Sequence, residues 1–139
     1  MKSVLVFSCL VFLAFAGSNF EASLYQQVGQ SCNSNGGFNI TSFDVSPWPI
    51  TAGTSVTITI KGTFTIATTV GQIQYGLQGG QQWNFQYQNI NAPYTVGQSA
   101  TFTYQVNVPQ YHDTWTVRVT VHQENAQIIL ACWTFQFTD

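Results

Sequence analysis

The chain has 139 residues, 45% of them hydrophobic and 6% charged, with a formal net charge of −2. A basic patch is what nucleic-acid binding requires, so that balance excludes a nucleic-acid partner. The length is that of one domain with a single core; charged residues usually make up about 25% of a globular domain, so solubility here rests on Thr, Gln, Asn and Ser.

The first segment reads MKSVLVFSCLVFLAFAGSNF. Lys2 precedes an apolar run from Val4 to Phe15 and the small-residue site Ala14-Phe15-Ala16. This is the layout of a secretory signal peptide spanning residues 1–16 and cleaved there. The run stops short of the roughly 20 apolar residues a membrane span needs. Cleavage leaves 123 residues in which Lys61 and Arg118 stand against Glu21, Asp44, Asp113, Glu124 and Asp139, a formal net charge of −3. Cys9 leaves with the signal. Cys32 and Cys132 are then the two thiols of a chain bound for an oxidising compartment, and they are expected to pair. Closing so long a loop stabilises by roughly 4 to 5 kcal/mol as an upper bound.

Residues 17–31 show no sustained periodicity and read as a leader to a domain over 32–139. Asn39-Ile40-Thr41 is a glycosylation sequon, which makes Asn39 a candidate glycan site. From Phe38 onward apolar and polar residues alternate, the period of a half-buried strand. Strands are predicted over 38–45, 55–65, 71–77, 82–87, 99–108, 114–122 and 127–137. Between the first two, Pro47-Trp48-Pro49 reads as an extended crossing segment without ladder donors, ending in a turn at Gly53. Trp48 either plugs that end of the core or lies at the rim of a cavity, and the plug is the expected role, since an aromatic held by two prolines is more often packing than recognition. The other turn signals are Gly79-Gly80, the 89–97 loop around Pro93, the 109–113 corner and Glu124-Asn125. About seven antiparallel strands at this spacing predict an all-β, two-sheet sandwich.

The apolar faces are unusually aromatic. Ile73, Tyr75 and Leu77 share a parity, as do Trp83, Phe85 and Tyr87; Phe102, Tyr104, Val106 and Val108; Trp115, Val117, Val119 and Val121; and Trp133, Phe135 and Phe137. Such rings either interdigitate into a solid core, the usual state of a sandwich interior, or line a cavity. Parity does not separate the two.

Catalytic groups are scarce. The chain carries no Gly-x-Ser-x-Gly elbow, no His-Glu-x-x-His pair and no phosphate-binding glycine loop. His112 and Asp113 sit at a loop corner, His122 ends a strand and Glu124 belongs to the following turn; two turn carboxylates such as Asp113 and Glu124 are ordinarily solvated surface. Two histidines ten residues apart, with both thiols in a disulfide, make a poor metal-ligand set. The expectation is a protein that is not an enzyme and needs neither metal nor cofactor.

The order of features is itself a pattern: Cys32 before FNITSFDVSPWPITAG, a Thr-rich strand ending Lys-Gly-Thr-Phe, Gly71, Pro93 with Gly97, FTYQVNVP, WTVRVTV and a closing ILACWTFQF. Over residues 32–139 this resembles the MD-2-related lipid-recognition (ML) domain family, that of the Niemann-Pick type C2 protein and the phosphatidylglycerol/phosphatidylinositol transfer proteins. The resemblance implies an immunoglobulin-like sandwich whose sheets admit a lipid between them, without catalysis. Cys32 and Cys132 stand where family members tie the start of the domain to its last strand. Ala92-Pro93 stands where members carry Cys-Pro, so one edge of the cavity has no second tether.

On that resemblance, Val56, Ile58, Ile60, Phe64, Tyr75, Phe85, Phe102, Tyr104, Trp115, Val117, Val119, Trp133 and Phe135 are expected to face the lipid or its surrounding core. Burying an acyl chain gains roughly 0.8 kcal/mol per methylene, which requires no charged contact. The expected function is a monomeric lipid carrier, secreted or in the endolysosomal lumen. It would hold a sterol, fatty acid or phospholipid and touch a membrane or receptor transiently. The alternative is an adhesion or carbohydrate-binding sandwich with a solid core that stacks glycans on exposed rings such as Tyr25, Trp83, Tyr87, Tyr94 or Tyr111.

Overall fold

The computed structural model describes residues 26–139, with side chains from Val28 onward. The signal segment, Cys9 and Tyr25 lie outside the described residues. Nine strands follow in order: β1 (Gln26–Gln27), β2 (Gln30–Ser31), β3 (Phe38–Ser46), β4 (Ser55–Phe64), β5 (Thr68–Gly79), β6 (Gln82–Tyr94), β7 (Ser99–Asn107), β8 (Thr114–Gln123) and β9 (Ile129–Thr138). They form two antiparallel sheets, β1-β3-β4-β7 and β2-β9-β8-β5-β6. The seven long strands are the seven the alternation predicts, because one face of each must be apolar to meet the opposite sheet.

In β4 the inward set Val56, Ile58, Ile60 and Phe64 is buried, while Ser55 and Lys61 are exposed. The facing strand β8 buries Trp115, Val117, Val119 and Val121 in the same way. The prolines hold the β3–β4 crossing, with cis bonds at Ser46-Pro47 and Trp48-Pro49. Trp48 is half-buried and meets the Phe135 ring edge-on at 6.4 Å, so it packs on the core from the end of the sandwich as expected.

Two features depart from the pattern. The segment 89–97, read as a loop, is largely strand: β6 continues to Tyr94, with Ala92 and Pro93 paired to Val70 and Thr69 across a register shift. Asn91 takes φ 49° at that irregularity, a conformation Asn tolerates better than most residues, and the ladder resumes beyond it. Residues 26–31, within the expected leader, add a short strand to each sheet in turn.

Candidate ligand site between the sheets

The inward rings of the two sheets meet in pairs. Tyr75 on β5 stacks on Tyr104 of β7, centroids 4.6 Å apart and planes within 14°. Phe43 on β3 lies against Trp133 and Phe135 of β9, at 5.6 and 5.8 Å. Tyr94 at the end of β6 stacks on Phe64 of β4 at 4.3 Å. Val56, Ile58, Ile60, Phe64, Tyr75, Phe102, Trp115, Val117, Val119 and Phe135 are all buried in this layer, with Tyr104 and Trp133 partly buried against it. Twelve of the thirteen expected interior residues are thus brought together.

Phe85 is the exception. It is 37% exposed, on the outer face of the five-stranded sheet. Its partner in the ladder is Gly76, and a Cβ at Gly76 would fall 2.9 Å from Phe85 and 3.0 Å from Trp83. The missing side chain makes the space these rings occupy. Trp83 and Phe85 are parallel within 3°, the Arg118 guanidinium sits 4.6 Å from the Trp83 ring centre, and Tyr87, half exposed, accepts a hydrogen bond from Gln74 Nε2. The parity of β6 is therefore the reverse of that expected: Gln86 and Gln88 point inward.

What those two amides do defines one side of the site. The Gln86 side chain pairs reciprocally with the Asn107 backbone, its Oε1 accepting from N–H at 3.2 Å and its Nε2 donating to the carbonyl at 3.3 Å. Gln88 Nε2 donates to the Thr103 carbonyl at 3.2 Å, and Gln88 Oε1 accepts from the Tyr75 hydroxyl at 3.0 Å. β6 and β7 are edge strands of different sheets, so no ladder joins them. The amides satisfy edge groups of β7 that would otherwise lack protein partners. Burial pushes the Tyr75 phenol well above its ordinary pKa, and neighbouring Tyr104 adds to the shift, so this seam is polar and uncharged.

The opposite seam is closed differently. The chain leaves one sheet at Gln27, crosses at Val28-Gly29 and joins the other at Gln30. Val28 N–H donates to the Phe43 carbonyl at 3.3 Å, and Trp133 Nε1 donates to the Val28 carbonyl at 2.8 Å. A Cβ at Gly29, where φ is +85°, would collide with the Thr134 carbonyl oxygen and the Trp133 ring, so the crossing needs glycine. The Cys32–Cys132 disulfide then pins the segment to β9, as the cysteine count predicts.

Grooves lie at the rim of the sandwich. One of about 380 Å³ runs past the disulfide between Gly37, Phe38 and Trp133. Another, of about 600 Å³, lies between Val28, Trp48 and Phe135. A third, of about 390 Å³, is lined by Asn84, Gln86, Asn107, Val108 and Pro109, at the end of the glutamine seam.

The remaining candidates are scattered. His122 is buried, with Nε2 at 2.7 Å from the Thr120 hydroxyl and Nδ1 at 2.8 Å from the Ala126 carbonyl. Asp113 and Glu124 flank opposite ends of β8, roughly 35 Å apart at the rise of an extended strand. Asn39 is exposed on β3.

Fold and interior together define an immunoglobulin-like β-sandwich with an aromatic layer between its sheets. The architecture is shared with the Niemann-Pick type C2 protein from the Japanese carpenter ant, at a TM-score of 0.59 and 10% identity, over 80% of this chain and 98% of that one. No curated protein matches the chain. The family model of the Countin C-terminal domain matches residues 38–127, and the chain belongs to that family. The matching model is not that of the ML domain, so the likeness to the Niemann-Pick type C2 protein is one of fold.

Proposed function

We propose that this protein is a non-enzymatic lipid carrier that takes an apolar ligand between its two sheets. The observation that carries the reading is the asymmetry of the seams. One side is closed by the crossing Val28 backbone, the Trp133 indole and a disulfide, the other by two glutamine side chains over an apolar, aromatic interior. The glutamines satisfy the β7 edge in either kind of interior, but a seam held by side chains alone can part without breaking a ladder, which is what a carrier needs at one edge. Resemblance and shared fold support the same reading, and the disulfide suits a secreted or lumenal protein released by cleavage at residue 16, with a glycan on Asn39.

Native mass spectrometry of protein secreted by its host, followed by organic extraction, tests it. The expected result is added mass that extraction removes and that matches a sterol, fatty acid or phospholipid. Protein that carries no lipid and takes up none from such a panel overturns the reading.

A second reading rests on the outer face. Trp83, Phe85 and Tyr87 line one row of β6, held by Arg118, Gly76 and Gln74. That row is the surface an adhesion or glycan-binding sandwich would use. Tyr94 and Tyr111 are not part of it, since Tyr94 stacks into the core on Phe64 and Tyr111 lies on Trp115 at another corner. Retention on a polysaccharide column, lost in Trp83→Ala and Tyr87→Ala, is the outcome this reading requires.

A further inference from the structure

We infer that the β6–β7 seam is the port of the ligand site and that Gln86 and Gln88 select lipids with an uncharged, hydrogen-bonding head. The inference rests on the lipid reading above and adds where the ligand enters and which end it presents.

The seam is tied at one end and clasped at the other. At the tied end the turn between β6 and β7 is fastened to β4, with Phe64 N–H donating to the Gln98 carbonyl at 2.9 Å and Gly97 N–H donating to the Phe64 carbonyl at 2.7 Å. At the other end the Gln86–Asn107 pair is the clasp, and the groove of about 390 Å³ lies beside it. Prising β6 from β7 there breaks side-chain bonds at a solvated edge and leaves every ladder bond of both sheets intact. Behind the clasp lie Gln88, the Tyr75 hydroxyl and the Tyr75–Tyr104 stack, and behind them the apolar layer.

Opening frees the two amides together with the backbone groups of Asn107 and Thr103. All are neutral donors and acceptors, able to pair with a hydroxyl or an ester. The cations among the described residues, Lys61 and Arg118, are exposed on the outer faces, and Arg118 is engaged by Trp83. A carboxylate or phosphate drawn into this port would lose water without gaining a counter-charge, which is strongly unfavourable. A lipid alcohol or a neutral glyceride exchanges its water for the glutamine amides.

The test uses Gln86→Cys with Asn107→Cys, bridged after folding by a short bis-maleimide, since the native Cys32 and Cys132 are already joined. Loading is followed from phosphatidylcholine vesicles holding a fluorescent sterol or monoacylglycerol, and separately the fatty acid or phosphatidylglycerol carrying the same fluorescent chain. Bridging is expected to slow loading of the neutral lipids by about tenfold or more, as for a gated site. Gln86→Ala with Gln88→Ala is expected to speed it. The neutral lipids should bind roughly tenfold or more tighter than the anionic pair. Equal loading rates with and without the bridge overturn the port. Equal affinity for neutral and anionic lipids overturns the selectivity. Failure of the wild-type protein to take up any of the four overturns the lipid reading itself, and the port falls with it.

Discussion

Tyr75 and Tyr104, on different sheets, stack 4.6 Å apart across the interior, and the Tyr75 hydroxyl donates to Gln88, whose amide donates in turn to the β7 edge. This contact joins the aromatic layer to the polar seam, so its removal should be felt in both. Tyr75→Phe keeps the ring and removes one hydrogen bond, an expected loss of about 1 kcal/mol. Tyr75→Ala empties a fully buried ring position and should cost roughly 3 to 5 kcal/mol. Urea unfolding of the three proteins measures both.

The same tyrosine sets an alkaline limit. Burial raises its pKa above the ordinary 10.0, and Tyr104 raises it further; burial also raises Tyr94. The native state therefore keeps a proton that the unfolded chain loses. The stability this represents is complete below about pH 10 and is lost above it, at up to about 1.4 kcal/mol per pH unit for Tyr75. Urea midpoints at a series of pH values from 8 to 11 should fall on the alkaline side, and Tyr75→Phe should flatten the fall.

The disulfide spans a sequence separation of 100. Cys32→Ser with Cys132→Ser is expected to cost about 4 kcal/mol and to lower Tm by roughly 10 to 20 °C. Calorimetry of the variant measures the change, and a Tm within two or three degrees of wild type contradicts the expectation.

Phe43 is fully buried and touches Trp133 and Phe135 where the closed seam begins. Phe43→Ala should destabilise by roughly 3 to 5 kcal/mol and expose Trp133, read as a red shift of tryptophan emission in the native state.

On the outer face, Gly76→Val places a branched side chain where Phe85 and Trp83 lie. The rings are partly exposed and can move outward, so the expected stability loss is about 1 kcal/mol. Trp83 should leave Arg118, and any retention on polysaccharide should disappear while lipid loading persists. Loss of both activities together would place the two sites in one.

The sequence by itself determined most of the fold. Seven runs of alternating residues predict seven strands, because a strand that covers a core on one side must alternate. In β4, β5, β7, β8 and β9 the apolar parity is the inward parity. The two thiols left after the signal segment predict their own pairing, and twelve of the thirteen residues expected in the interior lie on the buried or half-buried parity of their strands.

Only the tertiary structure decided which way β6 faces. Trp83, Phe85 and Tyr87 alternate with Asn84, Gln86 and Gln88, and hydrophobicity alone turns the rings inward. In the folded chain the inner side of β6 meets the unpaired backbone edge of β7 as well as the apolar interior. Amides satisfy those edge groups and rings cannot, while Gly76 clears room for the rings outside. Alternation reports how apolar each face of a strand is. It carries no record of an edge belonging to the other sheet, and that meeting of edges is what sets the candidate site.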